Sequence, residues 1–151
     1  MKEIKIIFFC CLAIILTNNC GYKPIYSSSN LDLRFDKINF ESNKINNQIV
    51  RSLKFFSNPD GSKNYDINIE TKKEKRIVSK NSKGDTELYE LKINLKMIVE
   101  TKTKKIIKNF ENKIKYNNND NKFELKQYES EIEKQIISDL IEQIIIFFYE
   151  I

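Results

Sequence analysis

The chain contains no histidine and no tryptophan, and among its 151 residues only three glycines, two prolines and three cysteines. Without histidine it lacks the commonest general base and the commonest zinc ligand together. So few glycines and prolines exclude a loop-rich fold and predict long regular elements. No Gly-rich loop that could cradle a phosphate is present, and no basic run is interleaved with aromatics, so nucleic acid is not expected as a partner. Two of the cysteines, Cys10 and Cys11, stand inside an apolar run, where a thiol behaves as a small hydrophobe.

That run, IIFFCCLAIIL (6–16), follows a short start with Lys2 and Lys5 and ends at Thr17-Asn18-Asn19. Eleven residues are too few for a bilayer span, which needs about 20. A positive start, an apolar middle and a polar end are the marks of a secretory signal peptide, expected over 1–19. Removing it leaves Cys20 as the only cysteine, so no internal disulfide can form. An unpaired thiol sent to an oxidising compartment is a liability unless it is used. Its place directly after the signal resembles the acylated cysteine of bacterial lipoproteins, which carries diacylglycerol on sulfur and a third chain on its amine. Each buried CH₂ contributes about 0.8 kcal/mol, so such chains moor a protein firmly. Thr17 and Asn19 stand where lipoproteins usually have Leu and a small residue, and cleavage nearby that leaves a spare thiol is the plainer alternative.

The remaining 132 residues suit a single domain with one real core. Net charge is +5 for the chain and +4 after residue 19, a mixed, mildly basic balance that tolerates an anionic surface without requiring one. Heavy use of Lys, Asn and Ile resembles nucleotide bias, and single Asn and Lys residues are discounted accordingly.

Residues 20–30 form a tether ending in Ser27-Ser28-Ser29-Asn30, and a domain is expected over 31–151. LDLRFDKINF (31–40) alternates at Leu31, Leu33 and Phe35, slips by one, and resumes at Ile38 and Phe40: a half-buried strand with a bulge. Ser42 is the expected cap of a helix over 43–57, whose apolar face is Ile45, Ile49, Leu53 and Phe56. Asn58-Pro59-Asp60-Gly61 ends it. A strand over 65–71 runs into the charged KKEKRIVSK, and Gly84-Asp85 reverses the chain. In 86–100, Leu91, Ile93, Leu95, Met97 and Val99 face one way while Lys92, Asn94 and Lys96 face the other. IIKNFENKIKY returns with Ile106, Phe110, Ile114 and Tyr116 inward. Asn117–Asn121 is expected to be a loop with no packing of its own. The tail is a long helix striped by Ile132, Ile136, Leu140 and Ile144 and widened by Ile137 and Ile141. About 44 Å of helix can lie along a hairpin of about 50 Å. The fold class is α+β: a two-layer sandwich of about four mostly antiparallel strands with two helices on one face, in the order β-α-β-β-β-α.

No nucleophile–base set or metal set is present, and no cofactor is expected; the protein reads as non-enzymatic. Glu129, Glu131 and Glu133 alternate as on a solvated face. The apolar IIIFFYEI (144–151) is open to two readings, a helix end tucked into the core or a patch that meets another protein. Lys72, Lys73, Lys75, Arg76, Lys80 and Lys83 likewise form either a solvated basic face or a contact for phosphate groups of an anionic lipid.

Together, CGYKPIY (20–26), Arg51-Ser52-Leu53 in the first helix, Tyr116-Asn117 at the end of the last strand and the order of elements resemble the lipopolysaccharide-assembly lipoproteins of the LptE family, in their alphaproteobacterial form. Gly21 rather than Asp after the cysteine resembles lipoproteins sent to the outer membrane. The resemblance implies a lipid-anchored plug on the periplasmic side of the outer membrane, seated in the LptD β-barrel, that assists barrel assembly and lipopolysaccharide delivery. It also implies that the six cations lie toward lipid A phosphates. The alternative is a periplasmic lipid-binding or transport-auxiliary lipoprotein acting without a barrel; it would need a pocket between helices and sheet.

Overall fold

A computed structural model describes residues 32–151; Cys20, the signal segment, the tether and Leu31 lie outside the described residues. The elements in chain order are strand β1 (Leu33–Phe40), helix α1 (Lys44–Phe56), strands β2 (Lys63–Lys80), β3 (Thr86–Glu100) and β4 (Lys105–Asn117), and helix α2 (Lys122–Glu150). They form one four-stranded sheet in the order β1-β2-β3-β4 with both helices on one face, the expected α+β fold.

Two of the three strand pairings are antiparallel hairpins; β1 pairs with β2 in parallel. A helical crossover can join parallel neighbours where a tight turn cannot, and α1 carries the chain back for that purpose. The bulge falls as expected: register slips between Phe35 and Lys37, leaving Asp36 unpaired. That extra residue returns Ile38 and Phe40 to the face of Leu33 and Phe35.

The apolar stripe of α1 lands on the sheet with Ile49 and Leu53 sealed from solvent. Ser42 is not the cap. Asn43 is extended, and its side chain accepts from the Asn46 backbone N–H at 2.9 Å, while Ser42 bonds the Asn47 side chain. In the following turn Gly61 is buried against β1, where an added Cβ would lie 2.6–2.8 Å from the Leu33 backbone. Gly84, at φ 89°, makes the β2–β3 turn in the left-handed region that suits glycine.

From β3 the residues Leu91, Ile93, Leu95, Met97 and Val99 enter the core, met from α2 by Ile132, Ile136, Ile137, Leu140 and Ile144. The tail resolves in favour of the core. Ile144, Ile145, Phe147 and Phe148 are buried, with Phe148 edge-on to Phe35 at 5.2 Å, and Ile146 and Tyr149 remain on the rim. The Asn117–Asn121 loop is more ordered than expected. Asn118 bonds Glu87 and Thr86 across the hairpin end, and Asn121 caps α2 by accepting from Phe123 and Glu124.

The strands differ in reach. β1 accompanies β2 only as far as Ile69, so from Glu70 to Lys80 β2 has a neighbour on one side alone. The β2–β3 hairpin therefore extends past β1, and its turn shares one end of the molecule with the start of α2.

Candidate functional site

The far half of β2 carries the six cations singled out by sequence, and strand alternation divides them. Lys73 and Lys75 point inward, beneath the first half of α2, whereas Lys72 and Arg76 point to the bare face of the sheet. Lys80 ends the strand, and Lys83 lies in the turn.

The inward pair meets carboxylates on α2. Lys73 and Lys44 both donate to Glu133, Lys44 at 2.7 Å, joining β2 and α1 to α2 through one side chain. Glu133 is only 5% exposed, so the expectation of a solvated acidic face is corrected for it. Side chains four apart lie one above the other on a helix, and Glu129, one turn earlier, meets the next inward lysine of the strand. Lys75 donates to it at 2.5 Å and Tyr116 at 2.8 Å. Lys75 also stands 4.0 Å from the centre of the Tyr89 ring, which stacks on Tyr116. Burial opposes the charge on Glu133, but the bonds from Lys44 and Lys73 outweigh it and hold the carboxyl below its ordinary range. Glu129 behaves alike, its burial outweighed by Lys75 and Tyr116. Burial first, then the bond to Glu129, pushes the Tyr116 hydroxyl far above the usual tyrosine range.

On the bare face, cross-strand register brings charges beside each other, mostly of opposite sign. The rows are Glu70–Lys96–Asn109, Lys72–Asn94–Glu111, Glu74–Lys92–Lys113 and Arg76–Glu90–Lys115. Arg76 donates to Glu90 at 2.8 Å, Lys72 pairs with Glu74 at 2.8 Å, and Lys92 pairs with Glu111 at 2.7 Å. Glu90 is sealed from solvent on this otherwise exposed face, and chiefly the Arg76 bond lowers its carboxyl below the ordinary range. Ile98 and the half-exposed Ile107, directly opposite, interrupt the charges. Of the six cations, Lys80 and Lys83 alone make no ion pair among the described residues.

Three buried polar groups, Glu133, Glu90 and Asn46, escaped the sequence reading. Asn46 donates to the Glu41 carbonyl and accepts from Thr71, tying α1 to β2. A carboxylate among isoleucines at helical spacing was the available signal for Glu133. For Asn46, beside Ile45 in an Asn-rich chain, there was none.

The helix–sheet interface is filled, with Ile49, Ile67, Ile93, Met97, Ile136, Leu140 and Ile144 fully enclosed there. Two surface grooves lie at the hairpin end, lined mostly by polar groups. No described helix is long and apolar enough to cross a membrane, and no group of metal-ligating side chains occurs among the described residues.

The same architecture recurs in solved structures. The chain is similar to the rare lipoprotein B of Shewanella oneidensis, at 16% identity over 74% of this chain and 92% of that one, with a TM-score of 0.57. A lipoprotein B from Nitrosomonas europaea aligns at 17% identity over 78% and 84%, TM-score 0.57. A minor lipoprotein from Acinetobacter baumannii aligns at 16% over 78% and 90%, TM-score 0.54. At these identities the likeness establishes the fold. A search of curated protein sequences finds no match. The model of the lipopolysaccharide-assembly family LptE matches residues 32–146, from the first described strand to the last turns of α2, and the chain therefore belongs to the LptE family.

Proposed function

We propose that this protein is a non-enzymatic outer-membrane lipoprotein, exported by residues 1–19 and moored through acylated Cys20. Its domain plugs an LptD-type β-barrel and takes part in carrying lipopolysaccharide to the cell surface. The observation that carries this reading is the division of the sheet's two faces. One face is sealed by helices over a filled core, and the other is a bare surface of charges of both signs, several of them paired. Barrel interiors are polar, so such a face suits a barrel wall better than an apolar partner. A lipid carrier acting alone needs space between its layers, and that interface is occupied by side chains.

Contact with lipid A phosphates falls to the six cations in a graded way. Lys80 and Lys83 are available at once. Lys72 is held only by an exposed pair with Glu74, a kind that contributes little. Arg76, Lys73 and Lys75 would have to leave Glu90, Glu133 and Glu129 first. The test is purification of the tagged chain from native outer membranes in detergent. A large β-barrel is expected to accompany it in near-stoichiometric amount, and recovery of the chain alone would overturn the plug.

A further inference from the structure

From Glu70 to Lys80 β2 runs on without β1, and burial changes where that neighbour stops. Up to Ile69 the inward residues Tyr65, Ile67 and Ile69 are buried; beyond it Lys73, Lys75 and Ile77 are exposed. Ile77 is 50% and Val78 39% exposed, apolar side chains on an edge that pairs with no strand among the described residues. Such an edge presents a row of unpaired backbone donors and acceptors. We propose that it is an interface for a second copy of this chain, the two β2 edges pairing antiparallel about Lys75 to make one continuous sheet.

The strand is complementary to itself. A two-fold axis that pairs one edge antiparallel with its copy stands perpendicular to the sheet, so both helix layers lie on the same side and inward residues oppose inward ones. Centred on Lys75, Glu74 of each copy faces Arg76 of the other, Glu70 faces Lys80, and Thr71 faces Ser79. Opposite charges or hydroxyls directly across from each other are favourable, and the symmetry makes each pair twice. Lys73 and Lys72 fall opposite Ile77 and Val78, where their methylene stems can cover the two exposed apolar side chains. Lys75 meets its own copy, but each ammonium is drawn back onto the Glu129 of its own chain.

Other registers fail. Centring on Glu74 sets Lys73 against Lys75 and Lys72 against Arg76; centring on Arg76 sets that arginine against itself and Lys72 against Lys80. Centring on Lys73 drives Ile77 of the copy onto Ile69, a place already taken by Phe40 of β1. Centring on Ile77 puts the irregularity at Val78 beside the axis. Lysines and bulges commonly guard an edge against pairing. Here the inward lysines are tied to Glu133 and Glu129 on α2, and the irregularity falls outside the central rungs.

This inference stands apart from the function proposed above, because no barrel takes part. The full chain is purified in detergent and followed by sedimentation velocity over a range of concentrations, where a reversible dimer is expected. Glu74→Lys turns two opposite-charge pairs into like-charge ones and should weaken the dimer about tenfold. Glu74 is exposed and pairs only with Lys72 among the described residues, so its variant should keep the parent's circular dichroism melt. Mild oxidation of the chain carrying Lys75→Cys should give a disulfide-linked dimer above the parent's background, because only the residue on the axis faces its own copy. Glu129 keeps its bond from Tyr116 in that variant. Lys72→Cys, which faces Val78, should stay at background. A chain that remains monomeric throughout, a Glu74→Lys dimer as tight as the parent's, or Lys72→Cys cross-linking as readily as Lys75→Cys would overturn the interface. Each of these results leaves the barrel partnership to stand or fall on the purification from outer membranes.

Discussion

Glu133 joins three elements through one side chain, so its titration reaches the stability of the whole domain. Its folded pKa lies below that of an unfolded glutamate, about 4.3. Between the two values the unfolded chain binds more protons, so stability rises with pH there. The contribution is complete above the unfolded value and is lost as pH falls through the folded one. Glu129 and Glu90 act in the same direction. Glu133→Gln is expected to lower stability at pH 7 by about 1–2 kcal/mol. That is less than the usual loss from breaking a buried pair, because Lys44 and Lys73 keep much of their hydration. Urea unfolding at pH 7 and pH 3.5 checks this: the parent chain should lose more stability between the two than the variant. Equal losses would show that the carboxylate is not the coupled group.

Among the elements, caps and turns divide the labour unequally. Asn121→Ala removes the acceptor for two backbone donors at the start of a 29-residue helix and should destabilise by about 1 kcal/mol. Gly61→Ala should exceed that, at about 1–3 kcal/mol, because its Cβ would press on the backbone of β1 rather than on a movable side chain. Gly84→Ala places a side chain in the left-handed region and should lose about 1–2 kcal/mol, although space there is open. Thermal melts of the three variants order these effects; a Gly61→Ala protein as stable as the parent would show that β1 shifts freely. Here sequence was uneven as a guide. The Gly84 turn was legible from its dipeptide, but treating asparagines as compositional noise concealed both helix caps, Asn43 and Asn121.

At the level of the molecule, the chain enters the fold at one end and turns its long hairpin at the other. β1 begins at the end where Phe148 packs on Phe35, so the described chain enters the fold there. The hairpin turn with Lys80 and Lys83 and the start of α2 lie at the other end. An anchor at one end would hold the other away from the membrane leaflet to which it is fixed. Cys20→Ser should therefore release the chain from membranes and abolish fatty-acid labelling while leaving its circular dichroism unchanged, since position 20 precedes the described core. A variant that stays membrane-bound without labelled lipid would sink the mooring.

Local patterns already contain the period-two strands, the stripe of α2, the bulge at Asp36 and the class of fold, because each follows from spacings within a few residues. Partner choice is another matter. Lys73 and Glu133 are 60 positions apart, and Lys44 and Glu133 are 89 apart. No local periodicity reports such meetings; strand register and the placement of α2 bring them about. For that reason a run that reads as six equivalent cations becomes, once folded, an inward pair held by α2, an outward pair held on the sheet and two lysines at the tip.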